Sequence, residues 1–403
     1  MDEQTLVGST TVSKLKDQLE DDVQLNVLVI GVGNAGNQVI VLGKKEGMNV
    51  FAVNTSIKDL SNRIVDETIP SFIIGEEGRG AGKKIEKGLE LWRQNGRQLF
   101  ENEQFMTMCQ DADLIIVTSA TGGGTGPSIS PKILETLQKI FPKKIIMYHG
   151  ITPKQDADNV AGSNTASCLD KTRKLSIPYY LTDLSFYQDK NYEEAFGLAD
   201  RHVIDTIKAV SGTYLTMSSS QMIDENDLKS IISEPGYQVM YAVRYITTDM
   251  LEKQSMQSMV IDKIKQGPAM MIQKDGISVQ MGVIINTPDD MNEKSKTGDY
   301  SEIYQFIGHR PKNGVYENYG LTEGTNGEII VILSGLTYPI NRINQYIAAI
   351  KEQEEFLLKQ KIVDNTSDVE AASALLSSNT EKLSSNTRAS ATDIASALDD
   401  LFS

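Results

Sequence analysis

The stretch Leu114-Ile115-Ile116-Val117-Thr118-Ser119-Ala120-Thr121-Gly122-Gly123-Gly124-Thr125-Gly126-Pro127 decides how the rest of the chain reads. Its apolar, β-branched opening is a short strand buried on both faces. The strand runs into glycines flanked by threonines, and a helix-length segment, Pro131 to Ile140, follows. At a strand-to-helix junction such a loop presents bare amides and hydroxyls, which suit a di- or triphosphate. Upstream, Asn26 to Ile30 (NVLVI) is a second buried strand and leads into Gly31-Val32-Gly33-Asn34-Ala35-Gly36. There, too, missing Cβ atoms let backbone N–H groups approach a phosphate. Val50 to Asn54 (VFAVN) and Ile145 to Tyr148 (IIMY) repeat the strand pattern, with Lys83 to Gln98 as a helix-length spacer. Doubly buried strands alternating with helices predict an α/β fold with a doubly wound parallel sheet.

The two glycine loops narrow the ligand. A dinucleotide site needs an acidic residue at the end of the second strand to hold the ribose hydroxyls; here that strand ends Asn54-Thr55-Ser56. A Walker loop needs Ser or Thr after Gly-Lys and an upstream glycine at fixed spacing. Gly80-Ala81-Gly82-Lys83-Lys84 has neither.

Beyond the sheet, Glu193 to Ser211 repeats apolar residues at spacings of three and four and closes the first domain as a long helix. Ala269 to Ile272, Ser278 to Asn286, Ile303 to Gly308 and Glu328 to Ser334 read as strands, and Asp289 to Asp299 and Asn313 to Asn326 as loops. The expected order is an N-terminal extension over 1–22, a phosphate-binding domain over 23–190 and a central helix over 191–213. A smaller α+β domain over 214–338, a long helix over 339–361 and an acidic tail over 362–403 complete it. The tail carries seven acidic against two basic residues and repeats LSSNT at Leu376 and Leu383. It reads either as a solvating disordered tail or as a partner-binding segment in which Ile394, Leu398, Leu401 and Phe402 form one face.

Composition excludes several classes. A net charge of −15 over 403 residues gives no electrostatic reason to bind nucleic acid or an anionic membrane directly. Two cysteines are too few for a disulfide framework, and three dispersed histidines offer no zinc spacing. No apolar run reaches the ~18 residues a membrane span requires, and the first residues are acidic rather than signal-like. The chain is expected in the cytoplasm, without membrane insertion.

Together the glycine segments resemble the tubulin and FtsZ superfamily of polymerising GTPases, whose signature is a GGGTG-type loop. The resemblance covers Leu25 to Gly236 well and the C-terminal region loosely, with five segments in the family's order. It implies GTP or GDP as ligand, with Mg2+ held between β- and γ-phosphates largely by phosphate and water rather than by a protein metal cluster. It also implies a phosphate loop at Gly31, Gly33, Asn34, Gly36 and Asn37, and a second loop at Asn54 and Thr55, where Ser56 replaces the family's acid. Gly80, Ala81 and Gly82, in the segment Gly78 to Gly82, resemble the loop that closes over the γ-phosphate. Thr121, Gly122, Gly123, Gly124, Thr125 and Gly126 resemble the signature. Phe196 and Asp200 are four apart and share a helix face; the implied roles are stacking on the purine and accepting from guanine N1–H and N2–H2. Thr182 stands where the family has an asparagine near the base.

The family's catalytic loop follows the central helix, and two carboxylates in it reach the nucleotide of the next subunit. The corresponding segment here is Met222-Ile223-Asp224-Glu225-Asn226-Asp227, with Met222 in place of the family's asparagine. The implied catalytic residues are Asp224 and Asp227; Asp227 ahead of Leu228 also reads as a helix N-cap. A contact of this kind is head-to-tail and propagates into filaments. Gly335-Leu336-Thr337-Tyr338-Pro339 and the long helix after it are similar to the plasmid- and phage-encoded branch, TubZ and PhuZ. That likeness implies a filament that positions or segregates DNA through a basic DNA-binding adaptor docked on the C-terminal helix or tail. An FtsZ-like cell-division ring is the alternative, and a non-hydrolysing scaffold a remoter one.

Overall fold

A computed structural model describes residues 24–348 and 351, apart from 65–67, 155–156, 216–222, 268, 270–277, 289–290, 292–299, 309 and 323. The expectations for the N-terminal extension, Met222, the acidic tail and the far part of the long helix lie outside the described residues.

The strands are β1 (Val27–Val32), β2 (Asn49–Asn54), β3 (Ser71–Ile73), β4 (Leu114–Ala120), β5 (Ile145–Thr152), β6 (Pro178–Asp183), β7 (Gly236–Ile246), β8 (Gln280–Thr287), β9 (Val315–Leu321) and β10 (Gly327–Leu336). They form one ten-stranded sheet in the order β3-β2-β1-β4-β5-β6-β7-β10-β8-β9. From β3 to β6 every pairing is parallel, and the order reverses between β1 and β4, as a doubly wound sheet requires. A short parallel seam, Pro178↔Gly236 to Tyr180↔Gln238, joins β6 to β7. Beyond it, β10 runs antiparallel to both β7 and β8.

The helices of the nucleotide half are α1 (Gly33–Lys45), α2 (Ile57–Arg63), α3 (Ile85–Leu99), α4 (Glu103–Asp111), α5 (Thr125–Ile140) and α6 (Asn159–Arg173). The central helix α7 (Tyr192–Val210) is followed by α8 (Glu225–Ser233), α9 (Thr248–Lys253), α10 (Met256–Gln266) and α11 (Ser301–Ile307). Alternate residues of each strand enter different cores. Leu28, Ile30 and Val32 pack on one face of the sheet with α5 residues Ile129 and Ile133. Val27 and Val29 pack on the other with Val39 and Ile40 of α1 and Val203 and Ile207 of α7. This two-sided burial is why β1 and β4 read as unbroken apolar runs.

Two expectations are corrected. Ile303 to Gly308 is the helix α11 and not a strand. Ile303 and Ile307 are four apart and both buried, and Gly308 ends the helix in the left-handed conformation at φ +91°. Within the expected loop Asn313 to Asn326 lies β9, an edge strand paired parallel to β8. Ala269 makes a bridge to Thr182, and the residues just after it lie outside the described set. Residues 340–348 are helical, as expected after Pro339.

Candidate nucleotide site

The glycine loops meet where the carboxyl ends of β1, β2 and β4 converge. The residues within them divide by task. A Cβ on Gly36 would lie 2.4 Å from the Thr118 carbonyl, and one on Gly31 would lie 2.4 Å from the Gly36 carbonyl. These glycines let α1 sit directly against β1 and β4. Gly33 turns the chain at φ +73° and faces Thr125 and Gly126. Gly126 is forced in the same way as Gly36, since its Cβ would lie 2.1 Å from the Ala120 carbonyl. A Cβ on Gly123 would meet nothing within 4 Å. Gly123 is therefore dispensable to the fold and leaves open space beside the start of α5.

Helix starts reinforce the placement. Neither α1 nor α5 has a side-chain cap or an acid in its first turn. The other helices, α2–α4 and α6–α11, begin with a side-chain cap, an acid in the first turn, or both. The uncapped N–H groups and positive dipole ends of two neighbouring helices thus point at one place, which favours an anion.

Around this cradle the second loop is fixed by a buried amide pair. Asn54 Nδ2 donates to Asn37 Oδ1 at 2.7 Å, and Asn37 Nδ2 donates to the Gly31 carbonyl at 2.8 Å. Asn54 Oδ1 accepts from the amides of Thr55 and Ser56 at 2.8 and 3.2 Å. Both side chains are buried, so Asn37 and Asn54 hold the loops rather than reach a ligand. Thr55 Oγ1 lies 2.7 Å from Thr125 Oγ1 and ties this loop to the signature. Thr121 is buried, its hydroxyl 3.0 Å from Thr165 Oγ1. Ser56, where the family has an acid, caps α2 by accepting from the Asp59 amide at 3.1 Å.

The third loop folds onto the second. The Gly80 amide donates to the Thr55 carbonyl at 2.8 Å, and the Ile57 amide to the Gly78 carbonyl at 2.9 Å. Gly78, Gly80 and Gly82 all lie at positive φ. Ala81 and Lys83 press against Gly124, closing Gly80 to Gly82 on the signature loop. Asn34 is exposed, its Oδ1 accepting from Arg63 Nε at 2.9 Å.

At the start of the central helix, Phe196 is 39% exposed and Asp200, one turn on, is 6% exposed. An open ring above a sheltered carboxylate suits a base that is stacked and then read by its edge. Burial pushes the Asp200 carboxyl up to about 7, against a hydrogen bond with Gln38 and the nearby charge of Arg63. Because this lies above the unfolded value of ~3.9, the stability it contributes is full below about pH 4 and lost as pH rises through about 7. Only the ionised carboxylate can accept from the N–H edge of a purine, so if Asp200 is the group that reads the base, nucleotide affinity is expected to rise about tenfold between pH 6 and pH 8. Titration with a fluorescent GTP analogue checks this, and Asp200→Asn should weaken binding and flatten the profile.

One expected base contact is not brought to the site. Thr182 is fully buried, its hydroxyl 2.9 Å from His149 Nε2 between β5 and β6, which leaves no side-chain atom for a base. Its neighbour Asp183 is engaged by Arg342 of the C-terminal helix, Nε to Oδ2 at 2.7 Å.

Asp224 and Asp227 stand apart from the loops. Asp224 is the N-cap of α8 and Asp227 completes a reciprocal capping box: the Asp227 amide donates to Asp224 Oδ1 at 2.8 Å. The cap is thus Asp224, with Asp227 as its partner, rather than Asp227 alone. The 19-residue helix α7 starts beside the site and, at 1.5 Å per residue, ends about 28 Å away. There the Ser211 carbonyl accepts from the Leu25 amide, at the amino ends of the strands. α8 returns to that same end, since the Gly236 amide just after it donates to the Ile177 carbonyl ahead of β6. Its nine residues span only about 13 Å, so the two acids lie toward the end of the sheet opposite the chain's own glycine loops.

Sequence reasoning missed Asn164 on α6. Its Nδ2 lies 2.7 Å from the Gly123 carbonyl and 3.0 Å from the Lys83 carbonyl, bridging two loops. Nothing in its position, far along the chain from both, signals that task.

A family model described as Tubulin/FtsZ family, GTPase domain, matches residues 26–176. Over 344 residues the chain is 21% identical to the tubulin-like protein CetZ of Pyrococcus abyssi, covering 84% of this chain and 92% of that protein. Among solved structures, a GTPγS-form protofilament of TubZ from Bacillus thuringiensis serovar israelensis matches with a TM-score of 0.66 at 15% identity, covering 88% of this chain and 99% of that one. GTPγS-bound protofilament CetZ2 from Haloferax volcanii matches at 0.65 and 15%, covering 82% and 100%. At these identities the structural likeness speaks for the fold.

Proposed function

Given that residues 26–176 form a GTPase domain of the tubulin/FtsZ family, we propose that this tubulin-like GTPase assembles head to tail and hydrolyses GTP at each subunit junction. The observation that carries the reading is the separation of parts. The anion cradle lies at the carboxyl ends of β1 and β4, and the paired acids open α8 toward the other end of the sheet. Stacking one subunit on the next brings the acids of one to the nucleotide of the other.

In that junction Gly33, Gly123, Thr125 and Gly126 hold the phosphates through amides and a hydroxyl, and Gly80 to Gly82 close over the terminal one. Asn34, Phe196 and Asp200 face the nucleoside. Phosphoryl transfer depends mainly on placement and charge, and Asp224 and Asp227 orient the attacking water. Among the described residues no cluster of three or more His, Cys, Asp or Glu forms a metal site. Mg2+ arriving with the nucleotide would be held by phosphate oxygens and water, with Thr125 the nearest hydroxyl on the signature loop, and would neutralise charge on the β- and γ-phosphates. The protofilament forms named for TubZ of Bacillus thuringiensis and CetZ2 of Haloferax volcanii support self-association.

For the cargo we propose plasmid or phage DNA, reached through a basic adaptor, since a chain of net charge −15 has no electrostatic means of holding DNA itself. Light scattering with parallel phosphate release, over a series of protein concentrations with GTP, ATP and NAD, tests the enzymatic half. Turnover per subunit should appear above a threshold concentration and only with GTP; a rate per subunit independent of concentration would contradict assembly-dependent hydrolysis. For the cargo, DNA recovered with filaments only when an adaptor is present supports the reading. A division arrest on depletion, without loss of a mobile element, would replace it with the division-ring alternative.

A further inference from the structure

The loop ahead of α3 contains a residue that backbone physics disfavours. Lys83 lies at φ +58°, one of three non-glycine residues at positive φ among those described, directly after Gly82 at the same angle. A side chain is strained there where glycine would not be, and such strain held at a site is a pointer to use.

The surroundings hold Lys83 from three sides. Its carbonyl accepts from Asn164 Nδ2, the same amide nitrogen that reaches Gly123. A Cβ on Gly124 would lie 2.8 Å from the Lys83 nitrogen and 3.0 Å from its Cα, so its backbone is pressed against the N-cap of α5. Lys83 Nζ meets Asp158 Oδ2 at 2.6 Å. The other oxygen of Asp158 caps α6 by accepting from the Ala161 amide at 2.9 Å, so the carboxylate stays anchored whether or not the lysine remains. Both partners of the pair are more than half exposed, at 59% and 54%, and such pairs are weak and easily exchanged. From a Cα in contact with the start of α5, a flexible four-carbon stem can carry the ammonium to an anion seated on those open amides. A terminal phosphate bears nearly two negative charges and outcompetes one solvated carboxylate.

We propose that Lys83, on a loop already seated against the signature loop, is a γ-phosphate-binding residue whose ammonium leaves Asp158 for the terminal phosphate and so distinguishes GTP from GDP. This rests on the reading of the glycine loops as a GTP site. It also explains why a lysine occupies a position where glycine would be unstrained.

The test compares GTPγS and GDP binding by the full chain in wild type, Lys83→Gly, Lys83→Arg and Asp158→Asn, with thermal melting of each. Lys83→Gly should lower GTPγS affinity about tenfold, leave GDP affinity within about twofold, and raise the melting temperature by relieving the left-handed backbone. Lys83→Arg should keep the preference for GTPγS. Asp158→Asn still caps α6 and should keep or sharpen that preference. Equal loss for both nucleotides in Lys83→Gly, or no loss for either, overturns the proposal and leaves the lysine a structural ion-pair partner. A wild type that binds neither nucleotide overturns the GTP reading and the proposal with it.

Discussion

Replacing Asp224 by asparagine is expected to abolish GTP turnover while leaving the helix it caps in place. Asparagine caps a helix as well as aspartate does, so the bond from the Asp227 amide survives. What is lost is the charge that orients water at the neighbouring nucleotide, a loss of about 10²–10⁴-fold in turnover. Asp224→Ala should lose the same activity and in addition about 1 kcal/mol of stability, because the capping box goes with it. Urea unfolding alongside phosphate release separates the two roles. Filaments should still form with Asp224→Asn and persist longer, since GTP is no longer consumed in them. Residual turnover near the wild-type rate in Asp224→Asn would leave the acids as caps and nothing more.

The largest effect on the fold is expected from Gly126→Ala, and the most informative contrast from Gly123→Ala three residues earlier. At Gly126 the added methyl would lie 2.1 Å from the Ala120 carbonyl, and backbone cannot yield as a side-chain end can. The cost is about 3 kcal/mol or more, shared between shifting β4 and displacing α5. The variant should melt far below wild type and fail to bind GTP. At Gly123 nothing stands within 4 Å and φ is not positive, so alanine fits the unliganded fold. Its stability should be unchanged or raised by roughly 0.4–1 kcal/mol through the restricted unfolded chain. Its methyl nevertheless fills the space into which a phosphate must come, so nucleotide affinity should fall about tenfold or more. Calorimetric melting with nucleotide titration reads both quantities, and the two variants should part on stability while agreeing on lost binding.

That contrast also marks what the sequence made legible. The runs at Val27–Val32 and Leu114–Ala120 announced themselves because both their faces are buried, and the glycines after them because only a close approach explains four in so short a space. Which glycine serves packing and which serves the ligand is a matter of distances between segments far apart in sequence: Gly36 faces Thr118, and Gly124 faces Lys83. The same limit hid Asn164, whose two loops lie about 40 and 80 residues away. In the second half the pattern was weaker. Ile303 to Gly308 is short, and its two isoleucines sit four apart, a spacing a strand reading overlooks. In Val315–Leu321 the polar Glu317 and Asn318 disguise an edge strand as a loop. Thr182 stood in the expected place in sequence, but its side chain turns into the sheet toward His149, a choice of face that no motif records.

The split site is tested most directly by asking whose acids hydrolyse whose nucleotide. Asp224→Asn protein is loaded with GTP labelled on the γ-phosphate, placed in excess unlabelled GTP so that any exchanged label is diluted, and mixed with wild-type protein above the assembly threshold. If the acids act on the next subunit's nucleotide, labelled phosphate is released only after wild type is added, at a rate that rises with the wild-type fraction. Label that stays in GTP throughout, while the wild type in the same mixture turns over its own, would contradict hydrolysis across the junction.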